Sequence, residues 1–147
     1  MPNIACFYGE GVMGFVDNKE LNKNDKKELE EVFKPLGHIH WVEENQIDAL
    51  TALAGSGPAF AFVIIESMVD AAVALGLSAA QGRKMAIQMF QGALKTLNET
   101  GKHPGELKWE VASPAGCTIA GLKNMEDHAI RSGLINTFLA TYDQLKD

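Results

Sequence analysis

The stretch that most limits what this chain can fold into is Pro58–Leu75, PAFAFVIIESMVDAAVAL. Pro58 suits the first turn of a helix, and no breaker follows before Gly76. Wound at helical spacing, Phe60, Phe62, Val63, Ile64, Ile65, Met68, Val69, Val73 and Leu75 fall nearly all the way round. A helix that is apolar on every side must be covered on every side. A chain of 147 residues cannot easily supply that cover alone. Intertwining or helix exchange between two copies would supply it, and this is the expectation. The other arrangement is the central helix of a monomeric bundle.

The neighbouring segments are helical too. Gln46–Leu53 reads as a short helix with Ile47, Leu50 and Leu53 inward. Ala54-Gly55-Ser56-Gly57-Pro58 interrupts it, with Ser56 as the expected cap of the long helix. Ser78 and Gln81 form a capping box. From there Met85, Ala86, Met89, Phe90, Ala93, Leu94 and Leu97 follow at helical spacing to Gly101. The methionines read as core or as a dimer seam. His103-Pro104-Gly105 is a turn, and Glu106–Val111 a short helical piece. Asn124–His128 and Ile130–Leu145 are the last helices, with Ile130, Leu134, Phe138 and Leu145 inward. From Glu43-Glu44-Asn45 onward there is no strand pattern.

The first 44 residues differ. Ile4–Val16 reads as a strand or a pair of short strands. Inside it lies Gly9-Glu10-Gly11-Val12-Met13-Gly14, a literal G-x-G-x-x-G. A dinucleotide fingerprint opens a helix directly after its strand. Here Phe15-Val16-Asp17-Asn18 continues as strand and turn, and Glu10 would set a carboxylate near a pyrophosphate, so these glycines are not read as a phosphate loop. Asn24–Leu36 is a helix opened by Asn24, with Leu29, Val32, Phe33 and Leu36 as its apolar face and Gly37 as its stop. Ile39, Trp41 and Val42 make a strand, with His38 and His40 on its other side. Two histidines without a third ligand nearby read as surface residues, and no metal site is expected. Strand, helix and strand together look like the tail of a nucleotide domain whose main sheet is absent.

A net charge of −6 leaves no basic face for nucleic acid. The longest apolar run, Pro58–Ile65, is stopped by Glu66, so no membrane span is expected. No export signal is apparent at the start. Cys6 and Cys117 form no metal or redox spacing. A cytoplasmic protein with reduced thiols is the default reading.

The segment with chemical potential is Ser113-Pro114-Ala115-Gly116-Cys117-Thr118-Ile119-Ala120-Gly121-Leu122. Pro114 and Gly116 break regular structure, and a helix-compatible run begins with Ile119 and Leu122. A helix start carries unpaired N–H groups and a positive dipole end. Ala115 and Gly116 are small enough to let a carboxylate approach the backbone, and Ser113 and Thr118 add hydroxyl donors. An ordinary capped turn would show the same letters. Cys117 at a helix start reads either as a reactive thiol or as a buried inert one.

Val111–Glu126, VASPAGCTIAGLKNME, resembles the signature of the pyrroline-5-carboxylate reductases. The resemblance extends through Met1-Pro2-Asn3, GEGV, WVEENQIDALTALAGSGPAF and TGKHPGELKWEV, in order and without large gaps. It implies a mostly α fold. Residues 45–147 would be the C-terminal helical substrate-binding and dimerisation domain. Residues 1–44 would be a strand-helix-strand remnant of an α/β Rossmann domain whose main portion is absent.

The implied reaction is hydride transfer from NADPH or NADH to the C=N carbon of 1-pyrroline-5-carboxylate, giving L-proline. Ser113, Thr118 and the backbone N–H groups of Gly116 and Cys117 would hold the substrate carboxylate. Thr51 matches a family threonine near the ring nitrogen and is the expected catalytic residue. Ser56 would line the same region, although a helix-capping role accounts for it equally. No cofactor-binding residue is found, so this chain alone is expected to be inactive and to bind no dinucleotide. The implied partners are a second copy or a higher oligomer, pyrroline-5-carboxylate or proline, and a separate nucleotide-binding domain. A stand-alone, non-catalytic helical module binding proline-like acids is the alternative. Ala54 stands where the family often has Ser, Ala71-Ala72 where it has a glycine pair, and Ala115 and Cys117 where it has Gly and Thr.

Overall fold

The computed structural model describes residues 1–146. Helices dominate, and the strands form a single small parallel sheet. The chain divides into two compact units, Met1–Phe60 with Ile135–Asp147, and Ala61–Leu134.

In the first unit, strand β1 (Gly11–Val16) is followed by helix α1 (Lys23–Phe33) and strand β2 (Gly37–Val42). The strands pair in parallel, from Gly11 opposite Gly37 to Val16 opposite Val42. Parallel strands need a crossover, and α1 provides it. Its cap lies two residues before the expected Asn24. Asn22 is the cap, its side chain accepting from the N–H groups of Asn24 and Asp25 while Asp25 returns a bond to the Asn22 N–H. Phe15 meets Phe33 and Trp41 at ring centroid distances of 5.3 and 5.4 Å. Trp41 Nε1 donates to Glu30 at 2.7 Å, tying α1 to β2. Leu29 and Phe33, four residues apart, share the half-buried side of the helix. Val32 is turned about 100° from Phe33 and is exposed, as is Leu36, so the apolar face is narrower than expected.

Ile4–Tyr8 is a 3-10 helix rather than a strand. Gly9, left-handed at φ 75, caps it with its N–H directed to Ala5 and Cys6 carbonyls. Phe7 and Tyr8, which suggested the strand, are exposed. The glycines of G-x-G-x-x-G serve packing: a Cβ on Gly11 would lie 2.2 Å from Cys6 Sγ, and one on Gly14 2.6 Å from Leu50 Cδ2. β1 runs straight on from Gly11, and α1 begins only at Lys23. His38 and His40 are exposed on β2.

A 3-10 turn, Glu44–Gln46, leads into α2 (Ile47–Leu50) and then a π turn, Thr51–Gly55. Helix α3 (Gly57–Ala74) follows with Pro58 in its first turn. The expected interruption is therefore a widening, and Ser56 has helical backbone angles (φ −87, ψ −26) instead of the extended ones of a cap. Leu53 is exposed because the extra residue of the π turn rotates it away from the face of Ile47 and Leu50. As a consequence, the helical segment Glu44–Ala74 is continuous over 31 residues. By length and composition it is long and apolar enough to cross a membrane, contrary to the expectation drawn from Glu66.

Helix α7 (Ile130–Gln144) begins in the second unit and ends in the first. Phe138 packs edge-on against Phe60 at 5.1 Å. Leu134 and Phe138 are half-buried, whereas Ile130 and Leu145 at the helix ends are exposed.

The second unit contains most of α3 with α4 (Ala79–Thr100), α5 (Pro104–Val111) and α6 (Cys117–Asp127). The Ser78–Gln81 capping box opens α4 as expected, and left-handed Gly101 ends it. α5 starts earlier than Glu106, with Pro104 in its first turn and His103 as its cap. α3 and α4 approach closely at Gly82, whose Cβ would lie 2.8 Å from that of Ala72. Gly82 and Ala86 are the buried residues of this unit. Phe62 (61% exposed), Val63, Val73, Leu75 (83%), Met85, Met89 and Leu94 remain open. The helices thus form without a closed core, which is what an all-round apolar helix gives when its cover lies outside the chain.

Candidate functional site

Two local structures hold the candidate residues. The first is the entrance of α6. After α5, Ala112 is extended and the chain turns at Pro114-Ala115, closed by the Gly116 N–H donating to the Ser113 carbonyl at 3.1 Å. Ala115 is left-handed at φ 58. Gly116 is extended (φ −75, ψ 171) and is the N-cap, so no cap side chain takes up the first N–H groups of α6. The helix begins at Cys117, two residues ahead of the apolar run that starts with Ile119. Asn124–His128 is the end of this same helix and no separate element.

The turn brings Ser113, Gly116, Cys117 and Thr118 together. A Cβ on Gly116 would lie 2.3 Å from Ser113 Oγ, so the hydroxyl occupies the space at the helix mouth that only glycine leaves free. Ser113 and Cys117 are exposed, Gly116 and Thr118 half-buried. Cys117 is therefore neither buried nor shielded. Exposed hydroxyl, open N–H groups and the positive helix end are the parts an anion needs.

The second structure is the π turn. Thr51 opens it, and its carbonyl accepts the Ser56 N–H at 3.2 Å, five residues on. Thr51 Oγ1 donates to the Ile47 carbonyl at 2.8 Å. With its proton committed, the Thr51 oxygen presents lone pairs as an acceptor. Ala52, next along, is 3% exposed and anchors the turn. Thr51 and Ser56 are thus joined directly. One residue escaped the sequence reading: Asn3, whose side chain donates to Ala54 within this turn at 3.0 Å.

An apolar groove between α4 and α5, about 370 Å³, is lined by Ala93, Leu97, Leu107 and Val111 and contains none of the candidate residues. Its character suits a packed side chain better than a charged amino acid. Among the described residues no group of three or more His, Cys, Asp or Glu could hold a metal. At the far end of α6, Glu126 is held below the usual carboxylate range, mainly by hydrogen bonds from Arg131, whose guanidinium is raised in return.

The comparisons agree on one family. The family model described as pyrroline-5-carboxylate reductase dimerisation matches residues 44–147. The pyrroline-5-carboxylate reductase of Methanosarcina acetivorans is 41% identical over the whole chain, which covers 54% of that protein. The Aquifex aeolicus enzyme of the same name is 36% identical over 99% of the chain and 55% of its own length. Among solved structures, the Coxiella burnetii pyrroline-5-carboxylate reductase superposes with a TM-score of 0.93 at 32% identity, over 99% of this chain and 54% of that one. The Plasmodium falciparum pyrroline carboxylate reductase, solved with NADP bound, gives 0.91 at 33% identity over 98% and 59%. The chain spans about half the length of the curated relatives it matches.

Proposed function

The chain belongs to the pyrroline-5-carboxylate reductase family, and from that premise we propose that it forms the substrate-binding and dimerisation part of such an enzyme. The reaction proposed is reduction of 1-pyrroline-5-carboxylate to L-proline with NADPH or NADH. The α6 entrance carries this reading: its uncapped N–H groups, with the Ser113 and Thr118 hydroxyls, suit the substrate carboxylate. Gly116 and Cys117 contribute backbone N–H groups, and Ser56 lines the turn that holds Thr51.

Thr51 is the proposed catalytic residue. A protonated imine carries an N–H and no free lone pair, so it needs an acceptor. The Thr51 oxygen, its own proton given to Ile47, offers one. Hydride adds to the imine carbon, the C=N π pair moves to nitrogen, and the N–H that Thr51 orients stays as the amine of proline. The dinucleotide supplies that hydride when bound, and its phosphates are proposed to be held by a nucleotide-binding domain outside these residues. We place the domain boundary between residues 44 and 45, one residue inside the family match, which begins at residue 44.

A second copy is the proposed cover of α3 and α4, in a homodimer or a larger assembly. Glu66 and Asp70 lie one turn apart on α3, and hydrocarbon would penalise both carboxylates. A cytoplasmic enzyme is the corresponding location. Calorimetric titration with proline tests the carboxylate site, and Thr118→Val should weaken the binding. Nicotinamide absorbance, followed with pyrroline-5-carboxylate and NADPH, tests the reaction, first with the chain alone and then with the amino-terminal half of the Methanosarcina acetivorans relative added. No proline binding, together with no turnover in either mixture, would remove the proposal.

A further inference from the structure

Pro58 leaves a defect that the sequence alone creates. In α-helical register the Ala54 carbonyl would accept from the residue four positions on, which is Pro58, and proline has no N–H. A half-buried carbonyl without a donor is costly, so another group has to reach it. The group that does so is the Asn3 side chain. Its Nδ2 donates to the Ala54 carbonyl at 3.0 Å, and its Oδ1 accepts the Val12 N–H at 3.1 Å. The amide orientation is fixed from both ends, since only the oxygen can accept from Val12 and only the NH2 can donate to Ala54. The backbone beside it is held as well, with the Gly14 N–H donating to the Met1 carbonyl at 2.7 Å and Pro2 bridging to Met13.

Ala54 lies inside the π turn that begins at Thr51, and the wide Ser56-to-Thr51 hydrogen bond spans it. Asn3 thus ties strand β1 to the wall of the turn that aims the Thr51 hydroxyl. We propose that Asn3 is a positioning residue for the reduction: it replaces the donor lost at Pro58 and so keeps Thr51 in register with the substrate nitrogen. This rests on the role proposed above for Thr51. A small displacement of an orienting group reduces the rate of a reacting complex far more than it weakens ground-state binding.

Asn3→Asp tests this at constant size. It keeps the acceptor toward Val12 and turns a carboxylate oxygen on Ala54. Pro58→Ala restores an N–H at position 58 and should make the Asn3 donor dispensable. Two measurements are read on each variant: amide hydrogen exchange at Ser56, and kcat and KM of the assembled reductase. Asn3→Asp is expected to speed Ser56 exchange by about tenfold or more and to lower kcat by about 10- to 100-fold, with KM changed less than about threefold. In the Pro58→Ala background the same substitution should lose most of its effect on both. Should Asn3→Asp fold poorly, Asn3→Ser, which withdraws the amide without adding charge, is read the same way. A lower melting temperature with Ser56 exchange and kcat unchanged would make Asn3 a strand tie only and overturn the inference. So would an equal loss in the Pro58→Ala background. A wild-type assembly that does not reduce the substrate overturns the reaction itself, and the positioning role falls with it. Normal wild-type turnover with no effect of Asn3→Asp overturns the positioning role alone.

Discussion

Ser113 Oγ sits 2.3 Å from the point where a side chain on Gly116 would begin. No real Cβ tolerates that approach, so the two residues specify each other. Gly116→Ala is expected to push the Ser113 hydroxyl out of the helix mouth and to weaken proline binding by about tenfold or more, the scale of one lost hydrogen bond to a charged group. The double variant Gly116→Ala/Ser113→Gly removes the clash and should regain thermal stability without regaining affinity. Calorimetry and a melting curve on the same samples separate the two effects. Affinity that returns with the double variant would show that the Ser113 hydroxyl does not bind the carboxylate.

Ala115 and Ala129 are left-handed, at φ 58 and φ 55. For an alanine this conformation costs roughly 1–2 kcal/mol, part of which glycine gives back through its larger unfolded-state entropy. Ala129→Gly, between α6 and α7, should therefore raise stability by about 0.5–1 kcal/mol with ligand binding unchanged. Ala115→Gly should stabilise similarly, and because it lies in the binding turn it also loosens the mouth, so a small loss of affinity is expected. Urea midpoints give the first quantity and proline titration the second.

What could be read from the letters, and what could not, follows from the range of the forces involved. Local rules located the Ser78–Gln81 capping box, the stop at Gly101 and the strand continuing through Phe15 and Val16, because each depends on residues a few positions apart. The chain break at Pro114 and Gly116 before α6 was legible for the same reason. Tertiary packing decided the rest. Phe7 and Tyr8 look like strand residues, yet they lie exposed in a 3-10 helix whose end is set by left-handed Gly9. Ser56 looks like a cap, but Asn3, distant in sequence, satisfies the Ala54 carbonyl and lets the helix continue as a π turn. Periodicity alone points Val32, Leu53, Ile130 and Leu145 inward, yet all four are exposed. Periodicity gives the face of a helix without saying how much of that face finds a neighbour.

Glu126 and Arg131 set a pH dependence. Arg131 Nε donates to both Glu126 oxygens, at 3.1 and 3.3 Å, and its terminal nitrogen completes the pair. This holds the Glu126 carboxyl below its ordinary value. A carboxylate lowered in the folded state adds stability above its unfolded pKa, and loses it as pH falls through the lower folded value. The pair is exposed, so the contribution is small and salt-sensitive. Glu126→Gln should melt slightly below wild type at neutral pH in dilute buffer. The gap should close as pH drops below about 4.3 and also on adding salt. A gap that persists at pH 2 would mean that packing, and no charge, accounts for it.

The open apolar side chains of α3 and α4 give the last prediction. Within the second unit, Phe62, Val63, Leu75, Met85 and Met89 are exposed around a contact that buries only Gly82 and Ala86. Uncovering one large apolar side chain costs about 1.5–3 kcal/mol, so this set favours association strongly. If a second copy covers them, folding and association are one event, and the melting midpoint must rise with protein concentration. Met85→Glu and Val63→Glu should each place an uncompensated charge in the seam, shift sedimentation toward smaller species and lower the midpoint. Glu28→Lys on exposed α1 is the control and should change neither. A concentration-independent midpoint, with unchanged sedimentation for Met85→Glu and Val63→Glu, would mean that these side chains do not form the dimer seam.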